Sequence, residues 1–546
     1  MARGGGRTIK STSVFVVVST LATIAMIVGC ARGPYYVAPR DRQTIDRKFV
    51  EYPANFDLAA AVTGLTAPTS IAIVHDEGPH HGSVLIAEGG VAGYRPRLYG
   101  FKPDGTYFDV YPSPKRSAIE RVPPFRFLGG ATELYGPIGG MVVVQGRIYV
   151  THRDKRGRGA VSAFDFDGTR TTIVADLPAQ GDYSLTDIVV HPTTGRLYFG
   201  LGSATNSGVV GLDNWQAGWV KKNPKFCDIP AVNLKLLGYR FDTKNPIAGI
   251  FGGSDIAVTA PFQPFGVSNQ TRIAKPRNDK PSSAIYSVNP NGGDLRVEAH
   301  GIRLPRGLGF NEYANLFFTN NGMQLRGTRP VKDDPDTFLK FLPNTWYGFP
   351  DFSADLLAIS ESRFQPPAEL IQPFGYPELS TLLDLSASGL PNASAYRESL
   401  LFGVFPALSG AAKFDFAPAS GPFKELRGSA IVAMDGDRAP FASSGRRLKG
   451  PIGYKVVRLD TDVKQARDFV RNTQGSPASR IKEKDHGGLI ERPVDVKFAP
   501  DGSLYILDYG RMETSNGKER IKPGTGKLFV LQPIVEHAAP ATAPVR

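Results

Sequence analysis

At 546 residues, with 60 Gly, 44 Pro and 41% hydrophobic residues, the chain has the turn-rich composition of an all-β protein rather than a helical one. An aromatic content of 10% excludes a disordered chain. The net charge of +13 does not mark a nucleic-acid binder: residues 1–50 carry eight Lys/Arg against two acids, nearly half the excess, and no reading motif accompanies the rest.

Arg3, Arg7 and Lys10 precede an apolar stretch from Val14 to Val28, which closes on Ile27-Val28-Gly29-Cys30. A basic start, a short apolar run and small residues at its end read as an export signal, not a spanning helix. The last four residues resemble a bacterial lipobox. The resemblance implies lipidation at Cys30 and an envelope protein held to the membrane by its lipid alone. Ala31 in the next position implies an outer membrane, with the protein facing the periplasm. The expected organisation is 1–29 signal peptide, 30–50 lipidated tether, 51–533 folded domain and 534–546 disordered tail.

Six segments then share one strand type: Val84 to Glu88, Arg147 to Thr151, Arg196 to Gly200, Asn315 to Thr319, Ser429 to Ala433 and Ser503 to Leu507. Most follow another apolar strand, and the last shows the logic. Val494, Val496 and Phe498 alternate with Asp495 and Lys497, Ala499-Pro500-Asp501-Gly502 turns the chain, and Ser503 to Leu507 returns. Units of three or four short antiparallel strands cannot bury both faces alone, but radial stacking buries them. The reading is an all-β, six-bladed β-propeller of four-stranded antiparallel blades. Two long intervals, 203–283 and 331–425, are read as loop insertions over its face.

Three stretches carry more than a repeat: Gly301 to Phe310 with Leu316 to Met323 and Asn344 to Asp351; Asp187 to Pro192 through Gly202 to Asn206; and Ile490 to Gly510. Together they resemble the glucose/sorbosone dehydrogenase family, six-bladed quinoproteins that oxidise sugars with pyrroloquinoline quinone (PQQ) and calcium. The resemblance runs from about residue 60 to 531. It implies that Arg303 and Arg492 contact the cofactor and that the backbone carbonyls of Gly322 and Met323 bind calcium. The sequence departs from the family at the proton-abstracting His, here Tyr183, at the Asn beside the first arginine, here Leu304, and at a second arginine of the last blade, here Val494. Tyrosine, with an unperturbed pKa near ~10, is a poor base, so the catalytic residue is left unassigned. Asp182 is the nearest substitute.

The implied function is an envelope-anchored sugar dehydrogenase that acts on a sugar alcohol or hemiacetal carbon. It would pass electrons to a separate acceptor, because no Cys-x-x-Cys-His haem motif occurs. The alternative is a propeller that has lost its chemistry and binds a glycan or a protein. A calcium-dependent lactonase ranks third, for want of a convergent set of acids. His191 and the His80-His81 pair read as surface or turn residues. Asp333-Asp334-Pro335-Asp336 reads as a solvated acidic loop ahead of a calcium site. Cys227 has no partner once Cys30 is lipidated, and reads as a small buried apolar residue.

Overall fold

The computed structural model describes residues 33–113, 133–246, 248, 254–268, 274–371, 378–482, 488–515 and 518–534. Cys30, the export signal and the tail beyond Ile534 lie outside them. Among the described residues, no helix is long and apolar enough to cross a membrane.

Six antiparallel sheets are arranged as a six-bladed propeller. From the centre outward, blade one is Pro68–Ile73, Val84–Glu88, Arg97–Phe101 and Tyr107–Tyr111, and blade two is Met141–Val144, Arg147–Arg153, Gly159–Phe164 and Arg170–Leu177. Blades three to six begin with the innermost strands Leu185–Val190, Pro305–Phe310, Ala411–Phe416 and Pro493–Phe498. These six innermost strands touch one another in a closed ring. The apolar segments singled out by the sequence are the second strands. Val84–Glu88, Leu316–Asn320, Ser429–Met434 and Leu504–Asp508 are buried along their whole length. A strand covered on both faces reads as a continuous apolar run, which explains the shared pattern.

The core is divided among the gaps between blades. One cluster, for example, packs Leu98, Val110 and Tyr111 of blade one against Met141, Ile148 and Phe164 of blade two. Another packs Phe317, Phe338 and Phe405 of blade four against Phe414 and Val432 of blade five. Each blade therefore depends on both neighbours, and the ring must close. Phe56–Leu65 closes it as the fourth strand of blade six, paired with Gly526–Pro533 from Phe56↔Pro533 to Leu65↔Gly526.

Two expectations change. Residues 33–50, read as part of a tether, lie along the propeller: Tyr35–Tyr36 pairs with Thr63 and Val62, and Val50–Glu51 pairs with Asn472 and Arg471. Unpaired outer strands recruit this segment, and Arg47 fixes it with bonds to the carbonyls of Tyr52 (2.7 Å) and Phe56 (2.7 Å). The insertion read over 331–425 is shorter. It contains two outer strands of blade four, Asp336–Lys340 and Leu401–Phe405, and the innermost strand of blade five. Buried polar residues such as Thr337, Lys413 and Asp336 interrupt the apolar pattern there. The insertion at 203–283 does fall between the second and third strands of blade three, Leu197–Leu201 and Ala284–Val288.

Leu58, in the closing strand, is fully buried between blades five and six. Leu58→Ala should lower unfolding stability by about 2–5 kcal/mol, read by chemical denaturation, because the whole ring shares that seam.

Candidate functional site

The ring of innermost strands surrounds a cavity of about 470 Å³ to which all six blades contribute, through Thr69, Ile138, Tyr183, Arg306, Lys413 and Val494 among others. In five blades the register between innermost and second strand shifts at the cavity end, as between Pro305 and Leu308 or Pro493 and Asp495. Such bulges re-aim side chains, which is how a strand edge becomes a pocket wall. Loops complete the wall: Ala217 and Trp219 from the first insertion, Gln324 and Arg326 after blade four's second strand, Phe441 from blade five, and Thr514 and Glu519 from blade six.

Tyr183, Arg303, Leu304 and Gly322 all line this cavity. Arg303 is 2% exposed, and its donors are committed inside the protein. Nε bonds Asn206 O (3.0 Å), Nη1 bonds Asn321 O (3.1 Å), and Nη2 bonds Asn206 Oδ1 (3.0 Å) and the Tyr183 hydroxyl. The guanidinium lies 4.7 Å from the centre of the Tyr183 ring. Burial pushes Arg303 below its ordinary value, with Tyr183 opposing the shift. Arg303 thus holds two loops and a phenol in place.

Arg492 stands apart. The bulge after Pro493 turns Val494 into the cavity, while Arg492 faces a small pocket of about 150 Å³ beside Tyr454 and Glu491. Its Nη1 bonds the carbonyls of Asp435 (2.7 Å) and Asp437 (3.2 Å), and its Nη2 bonds Tyr454 Oη (3.2 Å). Met323 is packed into an apolar cluster with Val331 and Phe349. The acids read as a solvated loop are mostly buried braces. Asp334 accepts from Met323 N (2.6 Å) and Ala354 N (2.8 Å), and Asp336 accepts from Gly322 N (3.0 Å) and Gly410 N (2.7 Å). Burial pushes Asp334 up to about 8, with the backbone N–H groups of Ala354 and Met323 opposing the shift. Among the described residues, no group of three or more His, Cys, Asp or Glu is placed to hold a metal.

The remaining candidates have local roles. His191 caps its own turn, accepting from Thr193 N and Thr194 N at 3.2 Å. His80 is half-buried and stacks on Phe166, with centroids 4.1 Å apart. Burial pushes the Cys227 thiol up to about 12. Asp182 is committed as well: Oδ1 accepts from Asn214 Nδ2 (2.9 Å) and Trp219 Nε1 (2.7 Å), and Oδ2 pairs with Arg326 (2.6 Å). Arg326 also pairs with Asp213, whose carboxyl burial pushes up to about 6.

Sequence reasoning missed the polar wall opposite. Asp435 sits between Arg306 and Arg438 (2.9 Å to the latter), and Arg438 reaches Glu519 at 3.3 Å. Burial works against the Asp435 charge, but the guanidinium groups of Arg306, Arg438 and Arg492 outweigh it and hold the carboxyl well below the usual range. A signal existed. Polar residues end or directly follow the apolar second strands: Glu88, Arg153, Asn321, Asp435 and Asp508. Each of these blades delivers that position to the cavity end of its strand.

Class follows from this geometry: a six-bladed propeller with a central pocket of aromatic rings and paired charges. No family model and no curated protein matches the chain. Solved structures similar to it include the PQQ domain of a pyranose dehydrogenase from Coprinopsis cinerea in its holo form (14% identity, 89% of this chain and 98% of that one, TM-score 0.48). An oxidoreductase described as a glucose dehydrogenase from Thermus thermophilus follows at 16% identity over 87% and 99% (TM-score 0.44). A PQQ-bound aldose sugar dehydrogenase from Streptomyces coelicolor shares 13% over 88% and 99% (TM-score 0.44). Similarity at this level leaves function to be argued from the site.

Arg326→Met would leave Asp182 and Asp213 buried without their shared cation. We expect a stability loss of about 3–5 kcal/mol by denaturant titration, partly recovered by adding Asp182→Asn.

Proposed function

We propose that this chain binds a sugar, free or at the end of a glycan, in the central cavity, and that it does so without the quinone chemistry of the family it resembles. The observation that carries the reading is the composition of the cavity wall. Trp219, Phe441, Tyr509 and Tyr183 supply flat apolar faces, and the Arg306–Asp435–Arg438–Glu519 chain supplies paired donors and acceptors. Sugars present just these two surfaces, C–H faces and vicinal hydroxyls, and a volume of about 470 Å³ is in the range of a small-molecule pocket.

PQQ fits poorly where the resemblance puts it. The cofactor would need open cations, yet Arg303 spends its guanidinium on Asn206, Asn321 and Tyr183, and Arg492 lies outside the cavity. Leu304 puts an alkyl chain where a polar group is called for. Tyr183 rests its oxygen on Arg303 and Arg326 (3.3 Å to the latter), so its hydroxyl is engaged as an acceptor by two cations.

Anchoring belongs to the same proposal: lipid on Cys30 holds the propeller at the bacterial envelope, with the sequence around it as support. Cys30→Ala should move the protein from the membrane fraction to the soluble fraction. An unchanged distribution would remove the anchor.

The test of function is a calorimetric titration of the purified chain with a panel of mono- and disaccharides, and separately with PQQ in excess calcium. Saturable sugar binding without PQQ is expected. Tight, calcium-dependent PQQ binding with sugar-dependent dye reduction would overturn the reading and restore a dehydrogenase.

A further inference from the structure

We propose that Arg153 is an anion anchor in the cavity wall, and that the sugar taken there carries a carboxylate, as a hexuronate or an aldonate does. This rests on the sugar-binding reading above and names its ligand class.

Arg153 is the last residue of blade two's second strand and lines the central cavity. Its neighbours in the wall share their charge with acids. Arg306 and Arg438 hold Asp435, Arg326 holds Asp182 and Asp213, and Lys413 lies 3.6 Å from Asp495. Arg303 has no acid but spends each nitrogen on an oxygen. Arg153 differs from all of them. Among the described residues its side chain makes one hydrogen bond, from Nη2 to Gly181 O at 3.2 Å, and it has no carboxylate within ion-pairing distance. Its Nε is buried with no partner.

Among the described residues, no acid is placed to pair with Arg153. The segment that runs beside this strand end, from Tyr135 opposite Arg153 to Gly139 opposite Thr151, carries no acid and is fixed by Arg153 N to Tyr135 O and Gly139 N to Thr151 O, both at 3.0 Å. Asp182 is the acid whose field reaches Arg153, but both of its oxygens are taken by Arg326, Asn214 and Trp219. Burial pushes the guanidinium down to about 10, so it keeps its charge at neutral pH. A half-buried guanidinium on a cavity wall, with its Nε buried and unpartnered and most of its other donors unused, is open to a ligand, and a carboxylate is the partner its planar fork suits best. Tyr183 and Trp219 line the same cavity and give the ring of such a ligand a surface to lie on.

The experiment titrates the purified chain with glucuronate and galacturonate against glucose and galactose at fixed ionic strength, and repeats the set with Arg153→Gln. We expect the uronates to bind at least about tenfold tighter than the neutral sugars. Arg153→Gln should erase that preference by bringing uronate affinity down to the neutral-sugar level, and it should not lower the melting temperature, as loss of a merely structural arginine would. Equal affinity for uronate and neutral sugar, with Arg153→Gln silent, would overturn the anchor while leaving sugar binding in place. PQQ is itself a polycarboxylate and forms a separate arm. Arg153-dependent binding of PQQ, with no sugar of either kind bound, would overturn both this inference and the reading beneath it.

Discussion

Three aspartates on the innermost strands, each reaching across to the next blade, hold the ring together. Asp187 of blade three accepts from Leu308 N of blade four (3.1 Å), and Asp415 of blade five accepts from Phe498 N of blade six (2.9 Å). Asp495 of blade six accepts from Ile71 N of blade one (2.9 Å). Neutral latches join other seams, such as Thr151 Oγ1 donating to Thr186 O (2.6 Å) and Thr319 Oγ1 to Ala412 O (2.8 Å). Buried carboxylates are tolerated only with compensation, and Lys413 and Lys497 provide it, Lys497 lying 3.3 Å from Asp495. Burial works against the Lys497 charge, but Asp495, Asp187 and Asp415 outweigh it and hold the ammonium above its ordinary value.

This constraint shapes the cavity. With most of the strand middles committed to cross-blade bonds, the blades themselves face a ligand chiefly through the strand starts and the residues at or just after the ends of the second strands. Those positions carry Tyr183, Arg306, Asp435 and Arg153. The first insertion is tied to them through Trp219 and Asn214, both bonded to Asp182. A single carboxylate therefore couples the roof of the cavity to its floor, with Arg326 as the shared counter-ion.

The repeat was legible because second strands buried on both faces must be apolar throughout, so Leu316 to Thr319 and Leu504 to Leu507 look alike. The innermost strand of blade five was not, because Lys413, which lines the cavity, and Asp415, which bonds the next blade, break the pattern. The closing role of Phe56–Leu65 was hidden for another reason: its partner strand lies more than 460 residues away, and no local pattern reports that. At the site, Tyr183, Arg303, Leu304 and Gly322, grouped from the sequence, share one cavity wall. The sequence could not show that Arg303 is already satisfied or that a bulge turns Arg492 out of the cavity. Both facts depend on backbone register, which a shift of one residue reverses.

Of the three tryptophans in the chain, Trp219 lines the cavity, which makes its emission the most direct report on whether that cavity takes a ligand. The measurement is tryptophan fluorescence during sugar titration of the native chain and of Trp219→Phe. Sugar in the central cavity predicts a saturable change in the native chain that disappears in the variant. A change that survives in Trp219→Phe, or no change at all while calorimetry records binding, would place the sugar elsewhere and contradict the account.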